Sequence, residues 1–139
     1  MGVAFVMQSI AGRSKRDARV TGSFTLDSRL LVAFADAAKA RLDQPEDASL
    51  DWCEGQDYDD PISPRECYDP EEVTAGLSWL GALAKVGDKT SRDVWMEYMQ
   101  GPFSPAAFVA RLSRDLDGLI AFCGEAGARG DKLIGVWVP

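Results

Sequence analysis

The chain has 139 residues, of which 46% are apolar and 27% charged, a composition typical of one globular domain with its own core. Its formal net charge of −7 argues against direct binding of nucleic acid, which needs clustered lysine and arginine, and against an anionic membrane surface as partner. No stretch approaches the roughly 18 apolar residues of a membrane span. We therefore expect one domain over residues 1–139.

The first part of the chain predicts two strands and a helix. β-branched and aromatic residues at Val3–Ile10 predict a strand, and Arg19–Leu26 predicts a second strand weakened by a glycine. Asp27 or Ser28 then caps a helix that runs to about residue 42, because Pro45 forbids its continuation. Its apolar face consists of Leu30, Leu31, Phe34, Ala38 and Leu42.

A loop at residues 43–69, which we call the acidic loop, is inserted between this first helix and the second one. Asp69 and Pro70 suit the N-cap and the first helical position, and Glu72 stands where a capping box needs it. The helix should end at Gly87. Its predicted buried row is Val73, Leu77, Leu80 and Ala84.

Two more helices and a strand complete the chain. Ser91–Gln100 predicts a short helix ended by Gly101-Pro102, and Ser104 caps a long one that runs to about Ala126. Lys132–Val138 is a nearly unbroken apolar run, typical of a strand covered on both faces. The buried row of the long helix is Phe108, Leu112, Leu116, Leu119 and Cys123, and its predicted stop and turn are Gly124, Gly127 and Gly130.

This order of elements predicts an α+β domain. Three to four helices should pack on a small sheet that includes the N- and C-terminal strands, because a lone strand cannot satisfy its backbone groups.

The acidity of the chain is concentrated in one stretch. Asp43–Glu72 holds twelve of the 22 carboxylates and one of the 15 basic residues, a charge of −11 that leaves +4 for the rest. Helix ends account for the acids at both margins, so the window Asp51–Glu66 remains for function. The candidate partner-binding residues in it are Asp51, Trp52, Glu54, Asp57, Tyr58, Asp59, Asp60 and Glu66.

Trp52 has two interpretations. It is either a loop anchor that tucks into the fold or a contact residue for a partner's pocket, surrounded by charge that steers the encounter. The other three tryptophans, Trp79, Trp95 and Trp137, lie in predicted helices or a strand and indicate packing.

The sequence offers little for catalysis. It has no histidine, which removes Ser–His–Asp and Cys–His nucleophilic sites and histidine-ligated zinc. Cys53 and Cys67 sit among carboxylates, which raise a thiol's pKa, and Cys123 lies on an apolar helix face. No phosphate-binding loop or dinucleotide fingerprint is present. We expect no enzyme, no catalytic residue and no cofactor.

Calcium binding is one alternative that needs only carboxylates. Asp57 and Asp59 begin like an EF-hand loop, but Ile62 and Tyr68 replace its required glycine and closing glutamate. We therefore expect no metal site.

A small carboxylate-based hydrolase is the other such alternative. It would use, for example, Asp51 and Glu54, with Trp52 as a platform for a sugar. Nothing in the sequence fixes the separation that the two carboxylates need.

Cysteine usage predicts a reduced, cytoplasmic protein. The three cysteines are an odd number without CxxC spacing, and the apolar run at Val3–Met7 is too short for a signal peptide. Pairing of Cys53 with Cys67 in an exported protein stays open.

Three stretches resemble the YfbM-like family of small uncharacterised bacterial proteins. They are MGVAFVMQ at Met1–Gln8, YDPEEV at Tyr68–Val73 and LDGLIAFCGEAGARGDKLIGVWV at Leu116–Val138. The resemblance implies an α+β fold and a bacterial source. The acidic loop stands where those proteins carry an aromatic–histidine segment, and the family has no established activity, so no functional residue is transferred.

These features favour a non-enzymatic binding or inhibitor protein. The leading hypothesis is a bacterial immunity protein whose acidic loop neutralises a basic protein partner, such as a secreted toxin domain. A nucleic-acid mimic that inhibits a host or phage enzyme is an alternative, and the hydrolase is another. The loop could also be a solvated connector that folds back over Arg13–Arg19, whose four cations are interrupted by Asp17 and indicate a solvated turn.

Overall fold

The two ends of the chain form the middle of the sheet. In the computed structural model, strand β1 (Ala4–Ala11) lies antiparallel to β4 (Lys132–Val138). Strand β2 (Arg19–Thr25) pairs antiparallel with the other side of β1, and the two-residue β3 (Gln56–Asp57) runs parallel to β4. The resulting order is β2-β1-β4-β3. The predicted α+β class, with both terminal strands in one sheet, is confirmed; the prediction missed β3.

Four helices accompany this sheet in the part of the chain that the structure describes, residues 3–99 and 104–139. They are α1 (Leu30–Arg41), α2 (Pro70–Val86), α3 (Lys89–Met99) and α4 (Pro105–Arg129). None of them is long and apolar enough to cross a membrane. The predicted end of α3 at Gln100 and Gly101-Pro102 lies outside the described residues.

The start of α2 differs from its prediction in one respect. Asp69 is the N-cap residue and Pro70 opens the helix, but the Asp69 side chain makes no capping hydrogen bond. Its carboxylate pairs instead with the Lys132 ammonium at the start of β4. The prediction of a capping box is therefore wrong. The predicted end of the helix at Gly87 is confirmed, because Gly87 has a left-handed backbone with φ of 67°.

Helix α4 begins as predicted and ends later. The Ser104 hydroxyl accepts a hydrogen bond from the Ala107 amide at 3.3 Å, which satisfies one of the free N–H groups of the first turn. Gly124 and Gly127 lie inside the helix, so their assignment to a stop and a turn is wrong. Only Gly130, with φ of 75°, ends the helix.

The main core lies between the helices and one face of the sheet. Phe5 and Met7 of β1 and Leu133 of β4 pack there against the helices. The predicted buried rows of α2 and α4 are confirmed at every position, and that of α1 at all but the half-buried Leu42. Gly118 of α4 permits close approach, because a Cβ there would lie 2.5 Å from the Phe24 ring.

The opposite face of the sheet is covered by loops. Ile10, Ile134 and Val136 form a second buried cluster on this face, and Ile62 and Cys67 of the acidic loop pack against it. Strand β4 is therefore buried on both sides, as its apolar run predicted, and the acidic loop supplies part of the cover.

A polar network ties β2 to the turn before β4. The Thr21 hydroxyl donates to the Asp131 carboxylate at 2.7 Å, and the Arg129 guanidinium donates to the same oxygen at 3.0 Å. Arg129 also reaches the buried Ser9 hydroxyl of β1 at 3.2 Å. The Thr21 bond first, and Arg129 second, hold the pKa of Asp131 below its usual value although burial opposes them.

Replacement of Asp131 by asparagine should make the free energy of unfolding less dependent on pH in the acidic range. A carboxylate whose pKa is lower in the folded state stabilises the fold above its unfolded pKa, near 3.9, and loses this contribution as pH falls. At neutral pH we expect Asp131→Asn to lower the free energy of unfolding by about 1–3 kcal/mol. Urea unfolding between about pH 7 and pH 3 should show the two proteins converging at the acid end. Parallel curves would contradict this assignment.

Candidate functional site

Trp52 anchors the acidic loop in the core. A 3-10 turn at Asp51–Glu54 turns Trp52 and Cys53 inward, and the tryptophan side chain is 0% exposed. Its ring packs edge-to-face on Phe5 at 6.1 Å between centroids, and Nε1 donates to the Ser49 carbonyl at 3.0 Å. The loop-anchor interpretation is confirmed. Its inclusion among the partner-binding residues is wrong, because a side chain without exposed surface cannot fill a partner's pocket.

Glycines let the loop backbone reach the sheet. A Cβ on Gly135 of β4 would collide with the Phe5 ring and lie 2.6 Å from the Trp52 carbonyl oxygen. A Cβ on Gly76 of α2 would collide with the Ser49 carbonyl oxygen. Gly55 turns the chain after Trp52 with φ of 66°, a conformation that other residues rarely adopt.

Hydrogen bonds to β4 hold the loop at two places. The Tyr58 amide donates to the Trp137 carbonyl at 3.2 Å, and the Trp137 indole donates to the Glu54 carbonyl at 2.9 Å. Further along, the Tyr68 and Leu133 amides donate to each other's carbonyls at 2.7 and 2.8 Å. The loop is therefore a part of the sheet as well as a connection between helices.

Lys39 of α1 forms ion pairs with two of the candidate acids. Its ammonium lies 2.9 Å from the Asp51 carboxylate and 2.5 Å from the Glu54 carboxylate. The bonds to Glu54 first, and to Asp51 second, raise the pKa of Lys39 above its usual value. These two acids have an internal partner, so they contribute less to an outward field than their number suggests.

The cavity beside these two acids is small. Glu66 and Tyr68 also line it, and its volume is about 140 Å³. Small-molecule sites usually measure roughly 300 Å³ or more. Trp52 contributes to its wall but is buried in the core, so it is not the exposed platform that the hydrolase alternative required.

The remaining candidates form one exposed group, which we call the acidic edge surface: Asp57, Tyr58, Asp59 and Asp60. One carboxylate oxygen from each of the three aspartates lies within 4.8 Å of the others, and all three residues are exposed. Tyr58 is 60% exposed. Within residues 3–99 and 104–139, no lysine or arginine forms an ion pair with these aspartates.

A shallow groove adjoins the acidic edge surface. Its volume is about 280 Å³, and Val3, Trp137 and Pro139 line it together with Asp57, Tyr58 and Asp59. Trp137 stacks under the Arg29 guanidinium, 5.8 Å from the ring centroid. Sequence reasoning assigned Trp137 only to packing, and nothing in the strand pattern indicated that β3 would bring Tyr58 beside it.

The structure does not complete the EF-hand loop that Asp57 and Asp59 begin in the sequence. Ile62, in the place of the required glycine, packs on the loop-covered face of the sheet, which we call the back face. Tyr68, in the place of the closing glutamate, pairs with β4. Asp60 joins the two aspartates instead, which leaves three mutually repelling carboxylates at the surface.

The cysteines are free thiols with raised pKa values. Burial, with a smaller contribution from the Asp36 carboxylate, raises the pKa of Cys53 to about 12. Burial likewise raises the pKa of Cys67, and that of Cys123 to about 11. The predicted direction is confirmed, but desolvation outweighs the neighbouring carboxylates as its cause.

Comparisons of the chain with family models, with curated proteins and with solved structures find no match. The resemblance to the YfbM-like family therefore stays a prediction.

Replacement of Gly135 by alanine should weaken the packing of Trp52 against β4. The added methyl group meets the Trp52 backbone, which cannot rotate away, so we expect a loss of about 1–3 kcal/mol in the free energy of unfolding. Gly124→Ala is the matched control, because a Cβ there meets nothing within 4 Å and the residue is helical. That change should stabilise the protein by about 0.5–1 kcal/mol. Equal effects of the two substitutions in urea unfolding would contradict the proposed packing.

Proposed function

We propose that this protein is a non-enzymatic binding protein that recognises a basic protein partner through the acidic edge surface. In its most specific form the proposal is a bacterial immunity protein that neutralises a toxin. Toxins that act on nucleic acids need basic clefts, and an acidic surface with an aromatic residue can occupy such a cleft. The observation that carries the proposal is the group of three aspartates around the exposed Tyr58.

The charges of this surface favour a cationic partner. Three carboxylates within 4.8 Å of one another repel, and no ion pair within the described chain offsets that repulsion. An arginine or lysine from a partner would relieve it and form charge-assisted hydrogen bonds. The three carboxylates are clustered at one point, whereas the phosphates of a nucleic acid are spaced regularly along a strand. The clustering therefore favours a local cationic contact over mimicry of a nucleic acid.

Tyr58 supplies the apolar part of the contact. An exposed tyrosine offers a large, rigid surface with few rotatable bonds and a polar end, which is why this residue type is frequent at interfaces. The groove beside it, which Val3, Trp137 and Pro139 also line, can receive an apolar side chain from the partner.

The surface is already ordered before binding. Its backbone pairs with β4 through Asp57 opposite Trp137 and through the Tyr58 amide. Because the segment is held in place, binding orders few additional groups, and less of the interaction free energy is lost to conformational entropy.

Removal of the three charges should slow capture of the partner. The experiment screens the products of the neighbouring genes for a basic domain that the protein binds, and measures association rates with that domain over a range of salt concentrations. For the triple variant Asp57→Asn, Asp59→Asn, Asp60→Asn we expect association to slow about ten-fold at low salt, with a flatter salt dependence. Tyr58→Ala should instead act mainly on the dissociation rate.

The control changes the same number of charges elsewhere in the acidic stretch. Asp43→Asn, Glu46→Gln, Asp47→Asn alters the net charge equally at exposed residues that form no ion pair in the described chain. We expect this variant to retain nearly the association rate of the native protein. Equal slowing in both variants would show that total charge matters and not this surface, and unchanged capture by the first variant would overturn the proposal.

A further inference from the structure

A basic pocket lies on the loop-covered side of the molecule, where Ile62 and Cys67 pack on the sheet. The turn after β1 contributes Arg13, Ser14 and Lys15, and the far part of the acidic loop contributes Ser63, Pro64 and Arg65. The pocket has a volume of about 340 Å³, which reaches the lower range of small-molecule sites. Arg65 is the one basic residue in the whole Asp43–Glu72 stretch, and the fold places it here.

The three cations have no internal counter-ion. Within the described residues, none of Arg13, Lys15 and Arg65 forms an ion pair, and all three are exposed. In a chain of net charge −7, with twelve carboxylates in the stretch that supplies Arg65, three cations that line one pocket make it a locally positive site that attracts anions.

The nearby carboxylates do not fill the pocket. Asp17 faces its own turn, where it accepts hydrogen bonds from the Ser14 amide at 2.7 Å, the Ser14 hydroxyl at 2.8 Å and the Arg13 amide at 3.2 Å. These bonds hold the pKa of Asp17 below its usual value, so it stays ionised as part of the turn. Glu66 lines the separate small cavity beside Asp51.

We propose that this pocket binds the phosphate group of a small phosphomonoester. Two guanidinium groups can each hold a phosphate through two parallel hydrogen bonds, while Lys15 adds a point charge and Ser63 a hydroxyl. The surrounding acidic stretch repels a polyanion such as nucleic acid or an anionic membrane, so a single dianionic group is the ligand that this charge pattern admits. The site is independent of the acidic edge surface.

Calorimetric titration of the full chain with inorganic phosphate and with glycerol phosphate tests the proposal. We expect saturable binding of both, with a dissociation constant on the order of 1 mM. Affinity should be higher at about pH 8 than at about pH 6, because the second proton of a phosphomonoester dissociates near pH 6. Arg65→Gln should weaken binding roughly ten-fold.

Arg111→Gln is the matched control, because Arg111 is exposed on α4, away from the pocket, and has no ion pair in the described chain. It should bind phosphate as the native protein does. Arg65 and Arg111 are both exposed, and unchanged thermal unfolding of each variant would show that a loss of folding does not cause the weaker binding of phosphate. Absence of saturable binding, equal weakening by the two substitutions, or binding of a short single-stranded DNA without binding of either small phosphate would overturn the proposal.

Discussion

The insertion of Trp52 into the core is the contact on which the position of the acidic loop depends. Its ring packs on Phe5 of β1, and its backbone fits against β4 only because residue 135 is glycine. A fully buried tryptophan contributes more apolar burial than any other single side chain, so it can hold a loop whose carboxylates repel one another. Once this anchor is in place, Gly55 turns the chain and the next two residues pair with β4.

One loop thereby supplies features of opposite charge. After β3 it exposes the acidic edge surface, then crosses the back face of the sheet, where Ile62 and Cys67 are half-buried, and brings Arg65 to the basic turn after β1. The backbone contacts at Tyr58 and Tyr68 hold the two ends of this segment, and Ile62 packs on the sheet between the two regions. A purely solvated connector would need neither the apolar residues nor these hydrogen bonds, whereas a loop that presents two surfaces needs both to keep them apart.

Much of the fold could be predicted from local patterns, because helix periodicity and apolar runs report directly which faces are buried. The rows on α2 and α4 and the doubly covered β4 are examples. The site was harder to predict, because it depends on contacts distant in sequence. Nothing in the sequence around Trp52 shows whether its side chain points inward. Lys39 lies on α1, in a different element from Asp51 and Glu54, with which it pairs. Two residues are too few to show a strand pattern at β3. The Asp69 cap failed for the same reason, since Lys132 competes for its carboxylate.

Amide hydrogen exchange of the native protein at Tyr58 and Tyr68 tests the central claim, that the acidic loop is a hydrogen-bonded part of the sheet. Both amides donate to carbonyls of β4. We predict that both amides exchange about a hundred-fold or more slowly than unprotected amides, because amides bonded in a sheet exchange only when a larger part of the structure opens. Exchange at the rate of a free, solvated loop at both positions would contradict it.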